Sequence, residues 1–438
     1  MPRKQEAGLS QWAETLNLDD SSNKNSFTSN ILTLAGGTAF SQAIGLVVVP
    51  LITRLYTPYD YGNYALYIAV FNLLVPLTHF RYALAIMLPK EDHEALEVLR
   101  LSIKLSIFFG VFFLALFLFI DIPFFQLSGI TDSIEIIFII SLVLILGGMI
   151  QSLTEWTNRM KNFLLMSLSR VTHVSGMVIS QAIAGFFLGS TMLGLILGHF
   201  LGHILELTLL LRGNKNLRNN PLIISPVAPL INNLIRYKKF PLYSSWGSVL
   251  DGVSSYGTPL LLAIYFQPDM VGKYALANMA LAAPTMLIGQ SLSKVLYQKM
   301  SEHIKNGLEI NSLVQSVLVR QALIGLLFGI VIYIFGPALF SFFFGSNWVS
   351  AGDFAKILVP AMFFHFMVSG LASVLLVRER QDLQLIAQII RAIITVLSIL
   401  IPGILGFDEI SLLIVFSFSR ALANLIYLTI ICKVARNF

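Results

Sequence analysis

The stretch "TPYDYGNYALY", Thr57–Tyr67, has a partial copy in "QPDMVGKYALA", Gln267–Ala277. Both write Pro-x-x-x-Gly-x-Tyr-Ala-Leu, 210 positions apart. Taken alone, the first copy looks like a reactive loop, crowded with tyrosines and carrying an aspartate. Its repetition points instead to one architectural unit written twice. Sliding the second half back by 210 residues pairs Pro58 with Pro268, Gly62 with Gly272, and Tyr64, Ala65 and Leu66 with Tyr274, Ala275 and Leu276. Thr38 then faces Ser248, Ser41 faces Asp251, and Pro50 meets Pro259 after a slip of one residue.

The composition says where such a unit lives. Of 438 residues 56% are hydrophobic and only 12% are charged, with a mean hydropathy of +0.78. A soluble domain carries about 25% charged residues. Apolar runs of about 20 residues, long enough to cross a hydrocarbon core, recur along the whole chain. The chain is read as an all-α, polytopic membrane protein. The first 30 or so residues are polar and hold no apolar segment ahead of a small-residue cleavage site, so no cleaved signal peptide is expected. Cys432 is the only cysteine, which excludes an internal disulfide and a cysteine-based metal centre.

Periodicity and length place twelve spans at about 31–53, 62–86, 101–122, 133–153, 167–188, 191–211, 241–265, 271–296, 314–340, 354–377, 385–405 and 410–431. The links that follow odd-numbered spans, such as "DIPFFQLSGITD", "LGST" and "PGILGFDE", hardly contain Lys or Arg. Those that follow even-numbered spans are basic, such as "PKEDHEALEVLR", "TEWTNRMKN" and "QKMSEHIKNG". All but five of the 29 Lys and Arg fall on the termini and the even links or beside them. Arg54, Lys273 and Lys356 lie towards the other side, and Arg391 and Arg420 lie inside spans. Lys and Arg mark the cytoplasmic side of membrane proteins, so both termini and the even links are expected there.

The longest link, about 211–240, carries Pro221, Pro226 and Pro229 and divides the chain into two sets of six spans. Both a solvated linker and an amphipathic piece on an anionic leaflet fit it. The expected organisation is a cytoplasmic segment at 1–30, a first lobe at 31–211, a linker at 212–240, a second lobe at 241–432 and a tail at 433–438. Because each half has an even number of spans, both halves start on the same side. The repeat is therefore parallel, about an axis along the membrane normal. Two pseudo-symmetric six-helix lobes around a central cavity, rocking to give alternating access, is the expected architecture.

The run "GGTAFSQAIGLVVVPLITRLYTPYDYGNYALYIAVFN", residues 36–72, resembles the opening of bacterial polysaccharide-biosynthesis membrane proteins. These are the O-antigen and capsule repeat-unit flippases of the multidrug/oligosaccharidyl-lipid/polysaccharide exporter superfamily. The sharp resemblance covers about residues 30–100, and the rest corresponds in span number, lobe division and spacing. It implies movement of undecaprenyl-pyrophosphate-linked oligosaccharides from the inner to the outer leaflet of a bacterial plasma membrane. It also implies membrane lipids as surroundings and polysaccharide polymerase and chain-length machinery as neighbours. Nucleic acid is not expected as a partner, despite the net charge of +6.

Polar groups inside spans are costly and usually face a cavity or a partner. In span 7, Ser244, Ser248, Asp251, Ser255 and Thr258 are spaced 4, 3, 4 and 3, one stripe on a helix. Thr38, Ser41, Gln42 and Gly45 write a shorter stripe at equivalent positions of span 1. In the resembled fold, spans 1 and 7 line the central cavity; the other reading of both stripes is close helix packing by small residues. Arg420 lies near the middle of span 12 and suits an anionic pyrophosphate, since a guanidinium grips two phosphate oxygens at once. Arg391, roughly two turns into span 11 from the basic side, is a candidate for the entry path. Pairing of Arg420 with Asp251, and snorkelling of Arg391 to the interface, are the alternatives.

In span 6, His199, His203 and Glu206 share one helical face, a pattern fit for proton coupling or zinc. No fourth ligand is visible, so no metal is expected and a polar face packed against neighbours is the preferred reading. His79 in span 2 is a possible lumen group. No G-x-x-x-x-G-K-[ST] is present, so the chain carries no P-loop ATPase of its own; energy would come from an ion gradient (H+ or Na+), metabolic pull or a partner, and no cofactor is expected. No nucleophile–base pair stands out. A cation-coupled multidrug exporter of the same superfamily is the alternative, kept open by Asp251. A membrane polymerase is disfavoured by the short outer links.

The opening stretch falls at the outer turn between spans 1 and 2. Thr57 suits the N-cap, Pro58 the first turn and Asp60 the helix N-terminus. Tyr56, Tyr59, Tyr61, Tyr64 and Tyr67 are expected to form an interfacial aromatic belt.

Overall fold

The computed structural model describes residues 40–45, 47–119, 134–187, 189–217, 222, 227–306 and 308–436. The side chains of Val227, Leu250, Asp251, Ser254, Pro284, Met286, Leu287, Gln290, Ser291, Lys294 and Val295 lie outside the described set. The expected N-terminal segment, Thr38 and the link "DIPFFQLSGITD" also fall outside it. The described residues form helices and no strand.

Twelve helices correspond one to one with the expected spans. The first six are α1 (Phe40–Leu55), α2 (Pro58–Thr78), α3 (Asp92–Phe119), α4 (Ile134–Arg159), α5 (Phe163–Phe187) and α6 (Met192–Gly213). The second six begin with α7 (Ser245–Leu262) and α8, which runs Pro268–Pro284 and continues as Gln290–Lys305. They end with α9 (Asn311–Phe344), α10 (Val349–Leu371), α11 (Gln381–Ile404) and α12 (Glu409–Arg436). Eight of the twelve are long and apolar enough to cross a membrane by themselves. The four that fall short, α1, α2, α7 and α8, carry the repeated motif and the polar stripes. Among the described residues α1 is apolar but short, Pro259 sits inside α7, and π turns at Phe240–Ser244 and Thr285–Gly289 interrupt the helices before α7 and within α8.

The repeated stretch starts its helices as the residue types require. Thr57 is extended at the N-cap, its side chain accepts from the amide of Asp60 at 3.2 Å, and Pro58 opens α2. Asp60 also accepts from the amide of Met192 at 3.2 Å, so it caps α6 as well. In the second copy Gln267 is extended, Pro268 opens α8, and Asp269 pairs with Lys273.

The tyrosines depart from the expected belt. Only Tyr59 is exposed; Tyr56 and Tyr67 are buried at 2% and 0% exposure, and Tyr61 and Tyr64 face the interior. The N-terminal ends of α2 and α8 meet each other across the lobe boundary. A tyrosine there is covered by the opposite lobe or by α5 and α6. The hydroxyl of Tyr56 donates to the carbonyl of Gln181 at 2.8 Å.

The cores divide by depth. At the end of the α1–α2 turn one shared core takes residues from both sets of helices, including Tyr67, Phe117, Ile140, Leu276, Trp348 and Phe416. Towards the basic links each set has its own core, one around Leu99, Leu153 and Trp156, the other around Met300, Leu371 and Ile431. The lobes are therefore joined at the turn end and separate at the basic end. Trp348 strengthens the join by donating its indole N–H to the carbonyl of Thr53 at 2.7 Å, as does Arg54 to the carbonyl of Phe342 at 2.6 Å.

At the basic end, the link between the lobes includes a helix, Val227–Arg236. Its Leu230 and Leu234 pack on the first lobe's core while Ile231 and Ile235 are exposed. Arg236 pairs with Glu94 at 3.6 Å and the hydroxyl of Tyr82 donates to the carbonyl of Leu234 at 3.0 Å. The link is thus docked on α3 through one face, leaving the other apolar face open.

Candidate functional site

The lobes enclose a cavity of about 530 Å³, within the size range of small-molecule sites. The first lobe contributes one wall, from α2, with Tyr61, Tyr64 and Ile68. The opposite wall comes from five helices of the second lobe: Ser255 and Tyr256 of α7, Tyr274 and Asn278 of α8, His365 of α10, Arg391 of α11 and Arg420 of α12. The two intramembrane arginines read from the sequence thus meet in one chamber. No carboxylate appears among its described lining side chains.

Arg420 is half-buried, with its guanidinium 5.6 Å from the centre of the Phe416 ring, in the range of a cation–π contact. Phe416 is itself fixed by an edge-on contact with Tyr274 at 5.9 Å. Both guanidiniums act electrostatically on His365, whose Nδ1 is buried without a hydrogen-bond partner. Asn278 Oδ1, also on this wall, is buried and without a hydrogen-bond partner. The chamber thus presents two guanidiniums and unsatisfied polar atoms on one wall. A buried polar atom without a partner costs about 1–3 kcal/mol, and Asn278 Oδ1, an acceptor, would be satisfied by a donor such as a hydroxyl.

The remaining predicted residues divide. Ser255 lines the cavity. Thr258 is buried beside Tyr274, behind the wall. Ser248 turns back to donate to the carbonyl of Ser244 at 3.0 Å. Ser41 is buried, Gln42 is half-buried, and neither is among the described lining residues. Thr38 and the side chain of Asp251 lie outside the described residues. His79 is not a lumen group. Its Nε2 meets Gln151 Oε1 at 2.7 Å, its Nδ1 accepts from the amide of Arg81 at 3.0 Å, and it is 1% exposed between α2 and α4.

Sequence reasoning missed two features. His365 is a lone histidine in "MFFHFMV", and an ionisable group in so apolar a span was itself the available signal. The face of His199, His203 and Glu206 is buried, as read, but a third imidazole joins it. His173 of α5 has its Nδ1 3.2 Å from Glu206 Oε2. Nothing in the spacing announces it, since α5 and α6 are brought together by packing.

A family model described as "Polysaccharide biosynthesis protein" matches residues 51–353. Among solved structures, the lipid II flippase MurJ in an inward closed conformation aligns with a TM-score of 0.70 at 15% identity, covering 91% of this chain and 87% of that one. A multidrug resistance MATE family transporter of the MOP superfamily aligns in its inward-facing conformation with a TM-score of 0.51 at 15% identity, covering 92% and 96%. Its outward-facing conformation gives 0.52 at 13%, covering 93% and 96%. At such identities the likeness shows the fold, and the matched folds are those of a flippase and of transporters, not of enzymes. A search of curated protein sequences finds no relative. The chain belongs to the polysaccharide biosynthesis protein family and has the fold of the multidrug/oligosaccharidyl-lipid/polysaccharide exporter superfamily.

Proposed function

We propose that this protein flips undecaprenyl-pyrophosphate-linked oligosaccharide repeat units from the inner to the outer leaflet of a bacterial plasma membrane, for surface polysaccharide such as O-antigen, capsule or exopolysaccharide. The observation that carries this reading is the convergence of Arg391 and Arg420 on one chamber whose described lining has no carboxylate. A pyrophosphate needs two or more positive charges, and guanidiniums supply them with paired donors. The tyrosines opposite offer flat faces and hydroxyls to the sugars, while the lipid tail stays in the bilayer.

The substrate enters from the cytoplasmic side, where the lobes are apart, and the pyrophosphate settles between the two arginines. Rocking of the lobes then separates the α2–α8 contact and closes the basic end, exposing the headgroup to the outer leaflet. Arg391 and Arg420 bind and orient; no bond is made or broken. An H+ or Na+ gradient is the proposed energy source, and polymerase and chain-length proteins are the proposed neighbours. A cation-coupled drug exporter would use a carboxylate in this chamber, so two arginines favour an anionic lipid over a cationic drug.

The test is complementation in a strain deleted for its own repeat-unit flippase. Expression of this chain is expected to restore surface polysaccharide and to relieve accumulation of lipid-linked repeat units on the inner leaflet. Continued accumulation with the chain inserted at normal level, across hosts with different glycans, would overturn the proposal.

A further inference from the structure

Behind the cavity wall, α2, α5 and α6 enclose four side chains that the transport reading leaves unused. His199 and His203 come from α6 and His173 from α5, and one ring nitrogen of each lies within 4.8 Å of the others. The ring centres are 4.4 Å apart for His173 and His203, 4.5 Å for His199 and His203, and 5.8 Å for His173 and His199. Glu206 adds a carboxylate, its Oε2 3.2 Å from His173 Nδ1 and 3.7 Å from His203 Nδ1. We propose that His173, His199, His203 and Glu206 form a transition-metal site of the zinc class inside the first lobe.

The distances suit that coordination. Tetrahedral zinc with bonds of about 2.0–2.1 Å holds neighbouring ligand atoms roughly 3.4 Å apart. The two carboxylate–imidazole separations lie on either side of that figure. The widest allowed separation of imidazole nitrogens exceeds it by roughly 1.4 Å, which small ring rotations on two helices can close. Three nitrogen donors select zinc, cobalt or nickel over sodium, calcium or magnesium, which take oxygen ligands.

The hydrogen bonding argues the same way. His199 Nδ1 lies 2.9 Å from the hydroxyl of Tyr67, which fixes the ring and leaves Nε2 for an ion, as an outer partner does in known sites. Neither ring nitrogen of His203 has a hydrogen-bond partner, although the residue is 7% exposed. His173 Nδ1 stands at ion-pair distance from Glu206 but makes no hydrogen bond of acceptable geometry. A polar face serving only to pack would satisfy these atoms, because unsatisfied ones are costly. A divalent ion accepts the lone pairs and offsets the Glu206 charge within the bundle. It would also fasten α5 to α6 one layer behind the chamber, since Tyr67 stacks on the cavity-lining Tyr64 at 5.9 Å.

The test uses the full chain, purified in detergent through an affinity tag without histidines. After exposure to Zn2+ and desalting, elemental analysis is expected to give about one zinc per chain. Co2+ in its place is expected to give the intense visible absorption of tetrahedral cobalt. His203→Ala and the pair His173→Ala with Glu206→Gln are expected to weaken binding at least tenfold, while His365→Ala, in the chamber, keeps it. Zinc is expected to raise the thermal midpoint of the wild type and of His365→Ala but not of the cluster variants, and this separates lost binding from lost folding. Wild type retaining less than about a tenth of an ion per chain, or cluster variants that bind as tightly as wild type, would overturn the site. So would a pH-dependent change at the cluster with no metal uptake, which would make it a proton site. These outcomes are independent of whether the chain flips lipid.

Discussion

Gly62 and Gly272 abut across the lobe boundary: a Cβ on Gly62 would stand 1.8 Å from the carbonyl oxygen of Pro268, and one on Gly272 would stand 2.0 Å from that of Pro58. The two copies of the repeated motif are each other's partners. Backbone meets backbone, so no side-chain movement can make room for a methyl group.

This contact closes the turn end, and its release is a step of the proposed cycle. Gly62→Val and Gly272→Val are therefore expected to shift the protein towards the state open at that end. A cysteine placed by Met279→Cys, where Tyr61 now donates to the methionine sulfur at 3.8 Å, reports the change. With Cys432→Ser as background, a membrane-impermeant maleimide applied to cells should label it several-fold faster in the valine variants. Unchanged labelling would mean that the contact does not hold the lobes together.

Arg420→Ala and Arg391→Ala should each lower export while leaving membrane insertion intact. A hydrogen bond to a charged group contributes about 1.5–3 kcal/mol, so a loss of roughly 10–100-fold is expected for each. Arg420→Lys should recover only part, since an ammonium lacks the paired donors. If both arginines hold one pyrophosphate, the double variant should lose less than the product of the single losses. The measurement is surface polysaccharide in the flippase-deleted strain at matched protein level.

The spans were legible because hydropathy and the alternation of basic links are properties of single segments. The repeat was legible because its Pro and Gly do local work, opening a helix and permitting a close approach. What the tyrosines of α2 touch was not legible: a helix end that meets lipid and one that meets another lobe call for the same residues. Arg391 and Arg420 could be singled out one at a time as costly charges, but their meeting, and the arrival of His365 beside them, follow from how five helices pack. His173 shows the same limit. The face of His199, His203 and Glu206 repeats along one helix and can be read, while a ligand from the neighbouring helix cannot.

Inside the first lobe, Gly148 lets α4 lie against α2 and α3. A Cβ there would meet Thr78 Oγ1 at 2.3 Å and Ser106 Oγ at 2.5 Å, beside the buried Ser102–Ser152 hydrogen bond of 2.7 Å. Gly148→Ala is expected to cost about 1–3 kcal/mol by overpacking. A lowered thermal midpoint in detergent checks it, and Gly189→Ala, where an added Cβ meets nothing within 4 Å but φ is +89°, gives a comparison in which only backbone strain acts.

The orientation expected from the distribution of Lys and Arg can be read with reporters. A fluorescent protein fused after Phe438 is expected to light up in the cytoplasm, and a periplasmic phosphatase fused after Gly406 to be active outside. The reverse pattern would invert the topology and, with it, the direction of substrate entry.

The central claim is translocation of an anionic polyprenyl-pyrophosphate saccharide through the chamber of Arg391 and Arg420. Its most direct test is proteoliposomes carrying a fluorescent lipid-linked saccharide, with the fraction in the outer leaflet read by an impermeant quencher. The account predicts rapid redistribution with the wild type and little above empty liposomes with Arg391→Ala and Arg420→Ala combined. Equal redistribution by the wild type and the double variant would contradict it.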